Sequence, residues 1–180
     1  MSDLPHLPVM LAEIVEALAP RPGAWVVDGT FGAGGHSRAF LERGANVLAI
    51  DQDPGAAEYA AALAAEGHPG EVRFVAGNFR EMERLAASAG VERADGVLLD
   101  LGVSSMQLDE GERGFAFRQD GPLDMRMGAE GESAADVVNG YAVDDLAAIM
   151  VTSLAIFTMN LLIDLAYALL DPRIRYGGTE

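Results

Sequence analysis

Four short apolar runs alternate with helical segments, and this alternation restricts the fold more than any other feature of the chain. Each run is short, apolar at successive positions and bounded by glycine, proline or charged residues, which is typical of a strand buried on both faces of a sheet. Strands and helices that alternate in this way predict a parallel sheet with crossover helices, an α/β fold. The predicted strands are 24–28, 46–50, 72–75 and 96–100, and the predicted helices are 8–18, 36–43, 54–66 and 80–89.

Three of the four predicted strands end in an aspartate, namely Asp28, Asp51 and Asp100. Ligands of open α/β sheets bind outside the carboxyl ends of the strands. A glycine-rich segment, 29–35, follows Asp28, and Asp51 lies 23 residues after Asp28. That offset is near the ~20 residues at which an acid meets ribose hydroxyls in nucleoside-binding βαβ units. The pattern predicts an adenosine ligand.

Composition excludes several classes of protein. The net charge is −16 and all 12 basic residues are arginine, so the chain cannot hold nucleic acid by a broad basic surface. Without lysine it has no phosphate loop of the triphosphatase type. Without cysteine it has no disulfide, thiolate metal site or cysteine nucleophile, and we predict no metal. The first residues lack a basic and an apolar signal region, which predicts a cytoplasmic protein.

Two further segments carry candidate binding residues, each with two interpretations. Phe79 follows the third strand, where its ring either stacks on an adenine or anchors the core. Between residues 112 and 127, arginines alternate with phenylalanine and methionine. Arginine and aromatic planes can stack on splayed bases of single-stranded RNA, whereas composition alone favours a solvated loop.

Several long motifs closely resemble the RsmH (MraW) family. They occur in family order, between about residue 6 and residue 148, and occupy 27–38, 51–54, 95–109, 112–115 and 120–127. The resemblance implies a Rossmann-like class I S-adenosylmethionine-dependent methyltransferase domain over 1–148. It further implies methyl transfer to the exocyclic amine of a cytidine in small-subunit ribosomal RNA, which is the expected partner. The residues implied at the S-adenosyl-L-methionine site are Gly34, Gly35, His36, Asp51, Phe79, Asp100 and Gln107.

A mechanism follows as a hypothesis. The cytosine amine is a weak nucleophile, because its lone pair is delocalised into the ring, so the enzyme must orient it and accept its hydrogen bonds. The candidate acceptors are Asp100 and the backbone carbonyls of Leu101 and Gly102. We expect a loop after them to grip a flipped-out nucleotide. The candidate RNA-binding residues are Arg113, Phe115, Phe117, Arg118 and Arg126.

The chain departs from the family pattern after about residue 148. Between 146 and 170 the only charge is Asp164, and 25 helical residues cover roughly 37 Å, enough to cross a bilayer. Residues 151–178 look like the last transmembrane helix and tail of dipeptide-type ABC transporter permeases. We therefore expect a second region, 149–180, with an apolar helix and a short tail, and possible membrane association through 149–170. The alternative is a soluble helix that packs on the sheet.

These two parts together predict a sheet that is incomplete in its C-terminal half and is followed by a long apolar helix. We expect turnover on RNA to be impaired for that reason. The alternative function is a non-catalytic, membrane-anchored fragment or fusion with a permease-like tail. A further alternative is methylation of another RNA or DNA amine, which no residue pattern excludes by itself.

Overall fold

The computed structural model describes the backbone of residues 8–170 and the side chains of residues 8–167. The chain divides into two compact units, Met1–Ala134 and Ala135–Glu180. The permease-like ending at 171–178 lies outside the described residues.

The first unit is built on a four-stranded sheet. Its strands are β1 (Trp25–Asp28), β2 (Asn46–Asp51), β3 (Val72–Ala76) and β4 (Gly96–Leu98). The spatial order is β3-β2-β1-β4, and all three pairings are parallel. The order changes direction at β1, from which β2 and β3 extend to one side and β4 to the other. The predicted α/β fold with a Rossmann-like sheet is confirmed.

Helices occupy the crossovers predicted from the sequence, with ends displaced by a few residues. The helix predicted at 80–89 begins as a 3-10 turn (Phe79–Glu81), where the Asn78 side chain accepts a hydrogen bond from the Arg80 amide. A second 3-10 turn spans Gly111–Arg113. The α-helices are α1 (Leu11–Leu18), α2 (Gly35–Glu42), α3 (Ala56–Ala65), α4 (Met82–Ser88), α5 (Ser105–Asp109), α6 (Ala134–Gly140) and α7 (Val143–Leu170).

The core lies on both faces of the sheet, which explains why β2 is apolar at four successive positions, 47–50. Along β2, Val47 and Ala49 pack into one cluster, which includes Phe40, and Leu48 and Ile50 pack into the other. All four β2 side chains are fully buried. Successive residues of a strand point to opposite faces, so an uninterrupted apolar run requires cover on both.

Helix α7 is mostly apolar, and Asp164 is its only charged residue after Asp145. Its segment Val143–Tyr167 has a mean hydropathy of 2.2, and none of it is buried. By length and composition it is long enough to cross a membrane, the one helix among the described residues that is. The change in composition predicted at 148 lies inside this helix, which begins at Val143.

Candidate active site

The predicted aspartates lie at one edge of the sheet. Asp28 and Asp51 are the last residues of the neighbouring strands β1 and β2, and Asp28 pairs with Leu98 at the end of β4. Two residues later, the backbone amide of Asp100 donates to the Thr30 hydroxyl at 2.7 Å. This bond places Asp100 against the loop that follows β1. Sequence reasoning did not identify Thr30, whose role depends on a partner 70 residues away.

The glycine-rich loop after β1 folds across the end of β2. The Gly32 amide donates to Asp51 Oδ2 at 2.7 Å, and the Phe31 amide donates to the Ile50 carbonyl at 3.2 Å. The Phe31 ring is buried and meets Phe74 edge to face at 6.1 Å. The loop is therefore held by its backbone to β2 and by one aromatic anchor to the core.

The loop leaves space for a ligand beside Asp51. At Gly32, where φ is +54°, an added Cβ would be in ordinary van der Waals contact with Ser104 Cβ at 3.9 Å, so the backbone is not crowded there. The two Asp51 oxygens accept the amides of Gly32 and Asp53, the latter at 2.8 Å. Each carboxylate oxygen has further acceptor capacity. The half-buried Asp51 can thus accept ribose hydroxyls, and these residues fit a nucleoside.

Asp28 supports the loop from beneath. Its carboxylate is 2% exposed and accepts the Ser37 hydroxyl at 2.7 Å and the Thr30 amide at 3.3 Å. Burial raises the pKa of Asp28 from 3.8 to about 6, against the opposing effect of the Ser37 and Thr30 hydrogen bonds and of His36. We infer that the buried Asp28 carboxylate stabilises the conformation of the loop through these two hydrogen bonds.

The other glycine-loop residues predicted at the cofactor contact protein. A Cβ on Gly34 would lie 2.7 Å from the Phe31 ring, and one on Gly35 would lie 2.4 Å from Pro8. The buried His36 ring places Nε2 3.2 Å from the Val9 carbonyl. These contacts give all three residues a packing role at the start of α2.

Phe79 lies across Gly29, because a Cβ on that glycine would be 3.1 Å from the Phe79 Cβ. Its half-buried side chain is at the ligand edge of the sheet. Both interpretations of Phe79, adenine stacking and core anchoring, are compatible with this position.

Asp53 is a buried acid that sequence reasoning missed. It is 3% exposed and accepts Gln107 Nε2 at 3.0 Å, Arg113 Nη2 at 2.9 Å and the Gly55 amide at 2.9 Å. Burial would raise the pKa of Asp53, but the hydrogen bonds from Arg113, Gln107 and Gly55 outweigh it and hold the pKa below 3.8. The 51–54 motif contained this residue, but only burial and its partners separate it from an ordinary turn acid.

Residues 110–128, here called the arginine loop, contain the predicted RNA-binding residues. Arg113 is engaged by Asp53, and Arg126 forms an ion pair with Asp124 at 2.6 Å. Phe115 is half-buried. Phe117 is fully exposed and Arg118 is exposed beside it. The loop thus presents one aromatic ring and one cation outward and uses its other arginines internally.

The predicted hydrogen-bond acceptors for the substrate amine lie just after the end of β4. Asp100, Leu101 and Gly102 are all exposed, and Leu101 is 68% exposed. Gly102 has open space around its Cβ position. Within residues 8–167 there is no cluster of three or more side chains suited to a metal ion.

The raised pKa of Asp28 predicts a pH-dependent stability. An acid whose pKa is raised on folding holds its proton more tightly in the native state, so its contribution to stability falls as the pH rises. The free energy of unfolding of the wild type, relative to that of Asp28→Asn, should fall by about 2 kcal/mol between pH 4 and pH 7. Urea unfolding at both pH values measures this difference. An unchanged difference would contradict the assignment.

The chain is similar to one protein family and to several curated proteins. The family model of the MraW methylase family matches residues 3–154. A protein named ribosomal RNA small subunit methyltransferase H from Chelativorans sp. (strain BNC1) is 59% identical over 145 residues, which are 81% of this chain and 41% of that protein. Proteins of the same name from Rhodospirillum rubrum and Brucella ovis are 56% and 52% identical, over 81% and 82% of this chain and 45% and 43% of their own.

A solved structure, the C-terminal domain of precorrin-6Y C5,15-methyltransferase from Rhodobacter capsulatus, is 24% identical, with a TM-score of 0.41 over 56% of this chain and 52% of that chain. We draw no argument from a likeness at that level.

The chain spans less than half the length of the curated relatives it matches. The family match ends at residue 154, and the comparisons do not support the permease-like interpretation of residues 151–178. The match nevertheless covers most of the chain and the whole strand edge described above. The chain therefore belongs to the MraW methylase family.

Proposed function

We propose that this chain binds S-adenosyl-L-methionine at the carboxyl edge of its sheet and transfers the methyl group to the exocyclic amine of a cytidine in small-subunit ribosomal RNA. Membership of a methylase family implies this methyl donor. The names of the relatives support ribosomal RNA as the substrate and, with it, a cytoplasmic location. The observation that carries the proposal is Asp51, half-buried at the end of β2 and bonded to the glycine loop at Gly32, where the backbone is not crowded.

Each cofactor residue has a role that its contacts support. Asp51 accepts the ribose hydroxyls, while the backbone at Gly32 allows close approach. Phe79 flanks the adenine, and Gly34, Gly35 and His36 shape the loop through their packing. We assign Gln107 an indirect role, because its amide is bound to Asp53. The donor itself supplies an electrophilic methyl on a sulfonium.

The substrate amine meets acceptors at the end of β4. Asp100 and the carbonyls of Leu101 and Gly102 are exposed there, and the Thr30 hydroxyl holds the Asp100 backbone. Hydrogen bonds from the amine to these oxygens orient its lone pair and stabilise the positive charge that develops on nitrogen. The Asp100 side chain is the natural acceptor for the proton that leaves afterwards.

The arginine loop grips the flipped-out nucleotide. Phe117 offers an exposed ring for stacking, and Arg118 offers a cation for the adjacent phosphate. Phe115 supports the loop from its half-buried position. Arg113 and Arg126 contribute through their ion pairs, which shape the surface that the RNA meets. Methyl-transfer rates on ribosomal RNA, other RNA and DNA decide whether the target amine is that of a cytidine or another.

A second candidate function is a non-catalytic fragment anchored in a membrane. The observation in its favour is the apolar segment Val143–Tyr167 of α7, none of which is buried. Length and composition are the whole of this argument.

Cofactor binding should depend on Asp51. Asp51→Asn removes the charge and turns an amide N–H₂ toward one of the backbone donors, so we expect affinity for S-adenosylhomocysteine to fall about tenfold or more. Isothermal titration calorimetry measures this affinity. The matched control is Asp95→Asn. Asp95 lies just before β4 and therefore at the amino-terminal ends of the strands, away from the candidate site. Equal affinities of the two variants would refute the site.

Methyl transfer should depend on Asp100. Asp100→Ala removes one acceptor of the amine and should lower the rate by about a hundredfold, as loss of a transition-state hydrogen bond does elsewhere. Transfer of radiolabelled methyl to unmethylated small subunits measures the rate, with naked RNA and DNA as comparison substrates. Wild-type rates in the variant would remove Asp100 from the mechanism. Impaired turnover is tested by comparing the rate of this chain with that of a curated relative, and we expect the rate of this chain to be lower.

The two candidate functions differ in how the chain partitions. For the methyltransferase we expect the expressed chain in the soluble fraction after carbonate extraction of membranes, with cofactor binding intact. Recovery in the carbonate-resistant pellet, without cofactor binding, would establish the anchored fragment instead.

A further inference from the structure

Asp53 joins three segments that are distant in sequence. Its Oδ2 accepts Nε2 of Gln107 on α5 at 3.0 Å and Nη2 of Arg113 in the arginine loop at 2.9 Å. Its Oδ1 accepts the Gly55 amide at 2.9 Å. The side chain is 3% exposed, and so the junction between the end of β2, α5 and the arginine loop is closed to water.

The two side-chain partners of Asp53 each make further hydrogen bonds. Arg113 also donates to the carbonyls of Arg126 at 3.0 Å and Met127 at 3.3 Å. Gln107 accepts the Ser104 amide through Oε1 at 3.0 Å, which completes a capping box on α5. The buried Asp53 carboxylate is thus held by donors from two other segments, and such a bonded group gives the groups around it a defined position.

The arginine loop makes close contacts with itself. A single bond to the rest of the chain can therefore fix the position of the whole loop. Gly114, at φ +73°, lies so close to the loop's return that a Cβ would be 2.2 Å from the Pro122 carbonyl oxygen. A Cβ on Gly121 would be equally close, at 2.2 Å, to the Gly111 carbonyl oxygen. The Met125 amide donates to the Arg113 carbonyl at 3.0 Å. Arg113 is thus both the internal tie of the loop and its link to Asp53.

Asp53 is also linked to the cofactor edge. Its backbone amide donates to Asp51 Oδ1 at 2.8 Å, while the other Asp51 oxygen accepts the amide of Gly32. The end of the loop returns to the same place, since a Cβ on Gly128 would be 3.3 Å from the Gln52 carbonyl oxygen. A change in the order or position of Asp51 therefore reaches the loop through Asp53.

We propose that Asp53 is a positioning residue that fastens the arginine loop to the cofactor edge, so that nucleoside binding at Asp51 orders the loop that receives the RNA. The coupling rests on the proposed function, whereas the fastening does not. Coupling of this kind is reciprocal, so an ordered loop also raises affinity for the cofactor.

Hydrogen exchange of the whole 180-residue chain, followed by mass spectrometry, tests both parts. Without ligand, peptides from 110–128 should exchange about tenfold faster in Asp53→Asn than in the wild type, because a hydrogen bond to a charged group is lost. S-adenosylhomocysteine should slow exchange of these peptides in the wild type. In Asp53→Asn this response should be lost, although calorimetry still detects binding. A residue with a merely structural role would leave the response to the ligand intact.

Glu110→Gln is the matched control, because Glu110 is the exposed acid on the other side of Arg113, at 3.8 Å. It should exchange within about twofold of the wild type, as expected for a surface pair. Arg113→Met removes the other partner of the ion pair and should speed exchange of 110–128 as Asp53→Asn does. If Asp53→Asn does not fold, Arg113→Met alone tests whether the pair fastens the loop.

Unchanged exchange of 110–128 in both Asp53→Asn and Arg113→Met would overturn the fastening. Ligand binding without any change of exchange in the wild-type loop would overturn the coupling alone. Absence of ligand binding to the wild type would instead refute the proposed function, while the comparison of free chains would still decide the fastening.

Discussion

Two carboxylates on neighbouring parallel strands hold the loop on which the site depends. Parallel strands end at the same edge of a sheet, so Asp28 and Asp51 lie on either side of the turn after β1. Asp28 is buried and bonds the turn and α2 through Thr30 and Ser37, whereas the half-buried Asp51 bonds the turn at Gly32. The deeper acid shapes the loop, and the shallower one is available to a ligand.

Electrostatics of the site are local, which reconciles an acidic chain with a proposed RNA substrate. The net charge of −16 excludes a broad basic surface. Within the arginine loop, however, acids neutralise Arg113 and Arg126, and Arg118 is exposed beside Phe117. Under the proposed function, such a loop recognises a nucleotide by the shape of its surface, with stacking and a single cation, more than by attraction at a distance.

The strands and the acids that end β1 and β2 were predictable, because burial on both faces demands uninterrupted apolar runs, and β2 shows this at Val47 and Leu48. The fourth strand was predicted to end at Asp100, but it ends at Leu98. The partners of polar side chains were not predictable. Sequence motifs placed Gln107 at the cofactor and Arg113 at the RNA, and those roles stay predictions, while the structure binds both to Asp53. Contacts across 54 and 60 residues leave no periodic signal.

By itself, then, the sequence determined the α/β class, the end of the sheet at which the candidate site lies and the family, all of which depend on local patterns and long motifs. It also showed the apolar segment that forms α7. Only the tertiary structure decided that Asp28 and Asp53 are buried among protein partners while Asp51 is half-buried, because the sequence does not show how deeply an acid lies. Burial and hydrogen-bond partners separate them, and both arise from residues brought together by folding.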